Sequence, residues 1–318
     1  DRSIGIDPKE EIAVLPFSSG TTGLPKGVML THFNLLSCLY QVVQVHEISS
    51  TDMMINQLPF FHIYGMTVLM GTSIMAGATQ VLASRFRPIE EFLSLFETYR
   101  PTLFFTVPLI VQEFCHHPKV LTMDWSRLRY VNAGGAILPP DVQERFTKIT
   151  GVPVMQGYGL TESSPTTHVT PIGKIKVGSI GLPLFATEDK IVDPETGAEL
   201  GPRETGELWV RGPQVMKGYY NNPEATAQAL INGWLRTGDL AWKDEEGYVY
   251  IVDRLKEVIK CRGFQVPPAE IENILLGHPE IKDAAVIGVP HPEYGEVPVA
   301  YVVLRDKASL LPEAVLQY

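Results

Sequence analysis

Between residues 80 and 154 of this 318-residue chain, short strand-like runs alternate with helical runs, and few folds accommodate that order. The strand-like runs are residues 80–83, 102–105, 130–132 and 152–154. Between them, residues 89–99 and 108–115 carry apolar side chains at helical spacing, and residues 140–150 do so next. Such alternation is the pattern of α/β layers built on a largely parallel sheet. Upstream, residues 11–17 read as a buried strand. Thr31 is placed to cap a helix running to about Val45, and residues 53–58 form another buried stretch. From about Gly178 short strands (residues 190–193, 206–211 and 247–251) sit between turn clusters, as in an antiparallel subdomain. A helix at about residues 268–277 then lies among strand-like residues 258–260, 284–287 and 299–304, and a last helix begins at 311–318. The expected class is therefore α/β. A large layered domain with an antiparallel β subdomain occupies residues 1–253, and a small α+β domain occupies 254–318.

Composition narrows the partners. Hydrophobic content of 45% and charged content of 19% suit a chain that buries a core. A net charge of −10 argues against a nucleic-acid surface, while leaving room for nucleotides, whose phosphates need only a few local cations and backbone amides. Cys38, Cys115 and Cys261 are far apart and have no metal-ligand spacing, which points to a reducing compartment. The longest nearly uncharged stretch, residues 63–78, is shorter than the roughly 20 apolar residues of a membrane span and reads as a buried core element. The first residues carry no targeting signal.

The densest chemistry is SSGTTGLPKG at residues 18–27. Two glycines allow backbone amides to approach an anion closely, and four hydroxyls and Lys26 add donors and charge. That inventory fits a polyphosphate. It is not a Walker A loop, because Gly20 and Gly23 are too close together and Lys26 is followed by Gly27.

This loop is similar to the phosphate loop of the adenylate-forming superfamily, and further motifs follow in that family's order. LPFFHIYG (58–65), NAGGA (132–136), QGYGLTE (156–162), WLRTGDL (234–240) and VDRLKEVIKCRGFQV (252–266) complete the resemblance. Taken alone, His62 reads as a satisfied core histidine rather than a pocket wall, and Thr-Gly-Asp at 237–239 is a common turn. The family resemblance implies an acid–CoA ligase of the acyl-CoA synthetase or 4-coumarate–CoA ligase type, with ATP, Mg²⁺ and coenzyme A and a fatty or aryl carboxylic acid. It assigns nucleotide binding to Ser18, Ser19, Gly20, Thr21, Thr22, Gly23 and Lys26. The same role falls to Gly135, Ala136, Gln156, Gly157, Tyr158, Thr161, Asp239 and Arg254. Within that set Tyr158 would stack on adenine, Thr161 would meet a phosphate oxygen and Glu162 would hold Mg²⁺. Asp239 would accept from the ribose hydroxyls and Arg254 would contact ribose or phosphate. His62, Tyr64 and Gly134 would line the acid pocket, with His62 gating it. Lys256 would be the hinge, and Lys260, Gly263 and Gln265 the thioester-forming face. Lys260, His62, Thr161 and Glu162 are the catalytic candidates. Cys261-Arg262 departs from the aromatic–lysine pair of many relatives.

The resemblance also implies a longer parent at both ends, since relatives have a segment before the phosphate loop and a C-terminal lysine motif absent after residue 304. It further implies a cytoplasmic protein, with a peroxisomal one as the alternative, and leaves the oligomeric state open. A luciferase-like oxygenase shares every motif. A peptide-synthetase adenylation domain would want a carboxylate that residues 58–65 lack. A non-catalytic nucleotide-binding protein is the reading from another class.

Overall fold

The computed structural model describes residues 5–18, 25–84, 86, 88–261, 264–291, 294–305 and 308–316, and only the backbone of residues 264, 265 and 313. The chain divides into two compact units. The first comprises Asp1–Lys190, Trp209–Thr237 and Lys243–Tyr250; the second comprises Ile191–Leu208, Gly238–Trp242 and Ile251–Tyr318.

A seven-stranded sheet forms the centre of the first unit. Its spatial order is Leu182–Pro183, Thr166–Val169, Val154–Gly159, Tyr130–Gly134, Leu103–Thr106, Met53–Asn56 and Thr79–Leu82. The strands from Thr79–Leu82 through Val154–Gly159 are parallel, and the two at the other edge are antiparallel. Because successive side chains of a strand point to opposite faces, each parallel strand feeds two cores at once. Phe104, Ile55, Val131 and Val154 join Phe92, Phe96, Phe114, Trp125 and Phe146 beneath the helices Ile89–Tyr99, Pro108–His116 and Pro140–Thr150. Phe105, Met54, Tyr130 and Met155 join Cys38, Val42, Tyr64 and Leu69 on the opposite face. A three-layer α/β unit follows, in agreement with the alternation in the sequence.

Some local signals are realised where expected, but residues 11–17 are not one buried strand: they form the short strands Ile12–Val14 and Phe17–Ser18, and Ile12, Leu15 and Phe17 are exposed. Thr31 caps the helix His32–Val45, its hydroxyl accepting from the Asn34 amide at 3.2 Å while Asn34 Oδ1 accepts from the Thr31 amide at 3.0 Å. Residues 63–78 are largely buried, as a π-helical turn Tyr64–Gly71 continued by the helix Thr72–Ala76. The strand expected at 152–154 instead runs Val154–Gly159, since pairing with Tyr130–Gly134 and Thr166–Val169 carries it through the Gly-Tyr-Gly motif. All three cysteines are free thiols; the burial of Cys38 pushes its pKa up to about 12.

A further sheet of five strands comprises Glu188–Val192, Gly206–Arg211, Trp234–Lys243, Leu230–Ile231 and Val249–Arg254. The hairpin Leu230–Ile231/Trp234–Lys243 turns on Asn232 and Gly233, both at positive φ (51° and 80°), which is the Asn-Gly chemistry of a tight hairpin. In the second unit, a four-stranded antiparallel sheet has the order Phe264–Val266, Ile259–Cys261, Gly295–Leu304 and Ile281–His291. The helix Pro268–Leu276 packs on it through Leu275 against Ile259, Ile281 and Val286. No helix of the described residues is long and apolar enough to cross a membrane.

Candidate active site

The strand Lys26–Thr31 is the backbone on which the first unit's site is assembled. It pairs antiparallel with Phe17–Ser18, setting Ser18 opposite Lys26, and with Gly218–Tyr219, setting Tyr219 opposite Val28. The six residues between, including Ser19, Gly20, Thr21, Thr22 and Gly23, lie outside the described residues. What the structure does place is the frame on either side of them. The Lys26 ammonium sits 4.8 Å from the centre of the Tyr219 ring, a cation–π distance. The Tyr219 hydroxyl donates to Glu162 Oε1 at 2.8 Å. Burial raises the Tyr219 phenol well above its ordinary pKa, and the adjacent Glu162 carboxylate raises it further. The phenol therefore stays a donor. The Glu162 carbonyl accepts the Met216 amide at 2.8 Å, tying the two segments together through backbone as well.

Tyr219 was not among the residues the sequence singled out. Its only signal was Gly218-Tyr219-Tyr220 before an Asn-Asn-Pro turn, and its role depends on pairing with a strand nearly two hundred residues earlier.

Thr161 and Glu162 are half-buried in a single 3₁₀ turn, Thr161–Ser163, immediately after Val154–Gly159. Tyr158, half-buried on that strand, meets the buried His168 edge-on, with ring centres 5.9 Å apart. Gln156 is buried and its amide is committed: Oε1 accepts the Leu138 amide at 3.1 Å and Nε2 donates to the Ser179 carbonyl at 3.3 Å. It thus shapes the loop of the exposed Gly135 (φ 84°) and Ala136. Gly134 and Gly157 face each other across paired strands. A Cβ at Gly134 would lie 3.0 Å from the Gly157 carbonyl and 3.4 Å from the Tyr64 hydroxyl, and one at Gly157 would lie 3.0 Å from Asn132 Nδ2. Close packing requires glycine at both.

Tyr64 is buried, and its hydroxyl reaches the carbonyls of Thr106 (3.3 Å) and Asn132 (3.4 Å) on two central strands. Burial raises its phenol pKa. Asn132 Oδ1 is buried with no hydrogen-bond partner among the described residues. His62 lies on the exposed side of this cluster, its Nδ1 accepting the Tyr64 amide at 3.2 Å. Tyr64, Gly134 and Gly157 are therefore brought together, with His62 at the rim.

The second unit holds a separate constellation. Asp239 is buried and Arg254 half-exposed, with Arg254 Nε 3.5 Å from Asp239 Oδ1. Thr237-Gly238-Asp239 is not a turn but lies within the strand Trp234–Lys243, at the positive-φ Gly238 (φ 74°), whose amide donates to Glu207 Oε1 at 3.1 Å and whose carbonyl accepts the Leu255 amide at 2.8 Å. Buried Asp253 accepts the Arg254 amide at 2.6 Å and the Ala269 amide at 2.9 Å, joining the strand to the following helix. Lys256 is exposed in the turn after that strand, and Lys260 is exposed on Ile259–Cys261, its amide donating to Glu296 Oε2 at 2.8 Å. Lys260 is in register with Gln265. Arg262, Gly263 and the Gln265 side chain lie outside the described residues.

The family profile described as "AMP-binding enzyme" matches residues 3–220, and that described as "AMP-binding enzyme C-terminal domain" matches residues 270–318. The chain belongs to the AMP-binding enzyme family. Among its curated relatives, a probable 4-coumarate–CoA ligase 1 from Dictyostelium discoideum is 43% identical over 99% of this chain and 58% of its own length. A long-chain-fatty-acid–CoA ligase from Bacillus subtilis is 44% identical over 96% of this chain and 55% of its own length. The chain thus spans little more than half the length of these members of the family. Among solved structures, ATP-bound MatB from Rhodopseudomonas palustris superposes with a TM-score of 0.92 at 33% identity, over 98% of this chain and 61% of that one. The o-succinylbenzoate CoA synthetase of Bacillus subtilis, in complex with its acyl-adenylate intermediate, gives 0.85 at 34% identity, over 95% and 61%.

Proposed function

We propose that the protein is an ATP-dependent acid–CoA ligase acting on a fatty or aryl carboxylic acid. The carrying observation is the Lys26–Tyr219–Glu162 cluster, in which one tyrosine carries a cation over its ring and a carboxylate on its hydroxyl, Lys26 belonging to the hydroxyl-rich sequence of residues 18–27. A polyphosphate needs both: a cation for its charge, and a hard oxygen ligand for the ion that accompanies it. The names of the relatives, CoA ligases of coumarate-type and long-chain fatty acids, support the same reading.

In the first step the substrate carboxylate attacks the α-phosphorus of ATP. The new O–P bond forms as the bond to pyrophosphate breaks. In the second, the CoA thiolate attacks the acyl carbonyl of the adenylate, forming the thioester and releasing AMP. Catalysis of such transfers is positioning and charge neutralisation. Lys26 and the loop Ser18–Gly23 would take the β and γ phosphates, and Thr161 would meet a phosphate oxygen. Tyr158 would carry the adenine, while Asp239, beside Arg254, would accept from the ribose hydroxyls. Gly135, Ala136 and Gly157 would let the nucleotide lie close to the backbone, with Gln156 fixing their loop. Tyr64 and Gly134 would wall the acid, and His62 at the rim would gate its approach. Lys256 would act as the hinge of a small domain beginning near residue 254, turning Lys260, Gly263 and Gln265 toward the thioester step.

Glu162 suits Mg²⁺: one carboxylate oxygen takes the Tyr219 hydroxyl, and the other takes no hydrogen bond or ion pair from the described residues and could serve a hard cation shared with phosphate. No group of three or more acidic, histidine or cysteine ligands occurs among the described residues, so the ion would be held jointly with ATP, where it would neutralise phosphate charge.

The test is acid-dependent ATP–pyrophosphate exchange with palmitate, 4-coumarate and benzoate, followed by thioester formation with CoA. Exchange with one acid class and thioester from the same acid is the expected result. ATP binding without exchange for any acid would instead indicate a nucleotide-binding protein.

A further inference from the structure

Behind the Tyr158 ring lies a buried polar triad that no role above uses. Tyr158 and His168 are register partners on the antiparallel strands Val154–Gly159 and Thr166–Val169, so their side chains stand opposite one another on one face of the sheet. His168 is wholly inaccessible. Its Nε2 is 3.1 Å from Asp189 Oδ2, and its Nδ1 is 3.0 Å from the Thr167 hydroxyl, which also lies 3.4 Å from the Tyr158 carbonyl. An ionised carboxylate only accepts hydrogen bonds, so His168 Nε2 carries a proton toward Asp189. Asp189, its side chain 8% exposed, is paired on its other oxygen with Lys243 at 2.8 Å. The same ammonium donates to the Asp189 carbonyl at 3.0 Å. Burial works to raise the Asp189 carboxyl, but the hydrogen bond from His168 and the bond and charge of Lys243 outweigh it and hold the acid below its usual range.

An arrangement of this kind is costly to keep. Removing an ion pair from water carries a desolvation penalty, and an apolar residue of similar volume would fill the space as well. What the triad supplies that a leucine could not is orientation. A histidine ring pinned at both nitrogens cannot turn about its Cβ–Cγ bond, and its edge-on contact then restricts the plane of Tyr158.

We propose that His168, anchored by the Asp189–Lys243 pair, is a positioning residue that fixes the Tyr158 ring plane and thereby sets selectivity for the nucleotide base. The proposal rests on the reading of Tyr158 as the adenine platform. Because His168 is wholly inaccessible, it would act on a nucleotide through Tyr158, and its signature is confined to the base.

The experiment is calorimetric binding of ATP, GTP and inorganic tripolyphosphate to the intact protein. The variants are His168→Leu, Asp189→Asn, Tyr158→Ala and the double variant of the first and last. His168→Leu is expected to weaken ATP about three- to tenfold, the fold-change an edge-on aromatic pair is worth, and to narrow the ATP/GTP preference. Tripolyphosphate affinity should stay unchanged. Asp189→Asn, which keeps the shape and loses the charge, should move the same quantities less. In the Tyr158→Ala background the His168→Leu effect should vanish. Unchanged ATP affinity in His168→Leu and Asp189→Asn, with Tyr158→Ala impaired, would overturn the positioning role and leave the adenine platform standing. An equal loss of tripolyphosphate binding would overturn it too, as general disorder of the unit. Unchanged ATP affinity in Tyr158→Ala would remove the platform itself, and this proposal with it.

Discussion

Lys26 and Lys260 each stand in a two-stranded hairpin, opposite Ser18 in one and Gln265 in the other. Their surroundings differ. Lys26 is half-buried over the Tyr219 ring, whose hydroxyl is bonded to Glu162, so the cation is held before any ligand arrives. Lys260 is exposed on its strand, and among the described residues its backbone amide donates to Glu296 Oε2. On the proposed reading, the first would serve a ligand whose charge is always in one place, and the second, a long side chain on a surface, would meet its target only in one state of the reaction. Pre-organisation is the property that separates them, and it predicts unequal responses to substitution.

The largest response belongs to the pre-organised side. Glu162→Ala removes the carboxylate partner of the Tyr219 hydroxyl and, on the proposed reading, an ion ligand. It is expected to lower ATP–pyrophosphate exchange about 10²–10³-fold, as loss of one pre-placed electrostatic group does. Exchange at the wild-type rate would mean that the cluster is structural. Asp239→Ala, within the second unit, should weaken ATP by roughly 1.5–3 kcal/mol, the worth of a hydrogen bond to a charged group. Calorimetry reads this directly, and an unaltered affinity would detach Asp239 from the ribose.

Lys260→Ala sharpens the comparison most. Thioester yield should fall about tenfold or more beyond pyrophosphate exchange, the worth of one hydrogen bond to a charged group, roughly 1.5–3 kcal/mol. Equal losses in the two half-reactions would show that Lys260 serves adenylation as Lys26 does. Tyr219→Phe should be milder: loss of one hydrogen bond to a carboxylate, about 1.5–3 kcal/mol at most, distributed between the melting temperature and the KM for ATP. A change in neither would mean that Lys26 and Glu162 are held by other contacts.

The smallest expected effect concerns pH and reports on burial alone. His46 is wholly inaccessible; burial first, and the Arg129 charge second, push its imidazole down from 6.5 to about 3. The folded pKa is therefore the lower one. The unfolded chain takes up a proton as pH drops below its own value while the folded chain does not, so this contribution is present above about pH 6.5 and lost as pH falls toward 3. Melting temperature should decline from pH 7 to pH 5, with a shallower decline in His46→Gln. Parallel declines in the two proteins would assign the acid sensitivity to other groups.

Much of the architecture is local enough to be legible. Thr31 caps because its own residue and Asn34 suffice to do so. The helices Ile89–Tyr99, Pro108–His116 and Pro140–Thr150 declare themselves by apolar spacing, with Pro108 and Pro140 at their starts. Strand ends are another matter: Val154–Gly159 extends through its glycines because two neighbours pair with it, and neither neighbour is visible from residues 152–154.

The sequence by itself determined the layered α/β class, the family, and the residue types available to chemistry, because periodicity, capping and a dense Gly-Thr-Lys loop are properties of contiguous residues. Only tertiary structure decided which of those residues are already partnered. It set Tyr219 between Lys26 and Glu162, committed the Gln156 amide to backbone, left His62 at an exposed rim and put His168 with Asp189 behind Tyr158. The physical reason is register. Each of these neighbours is delivered by a strand pairing or loop return between distant segments, and a shift of one residue in any pairing would turn the side chain to the other face of its sheet.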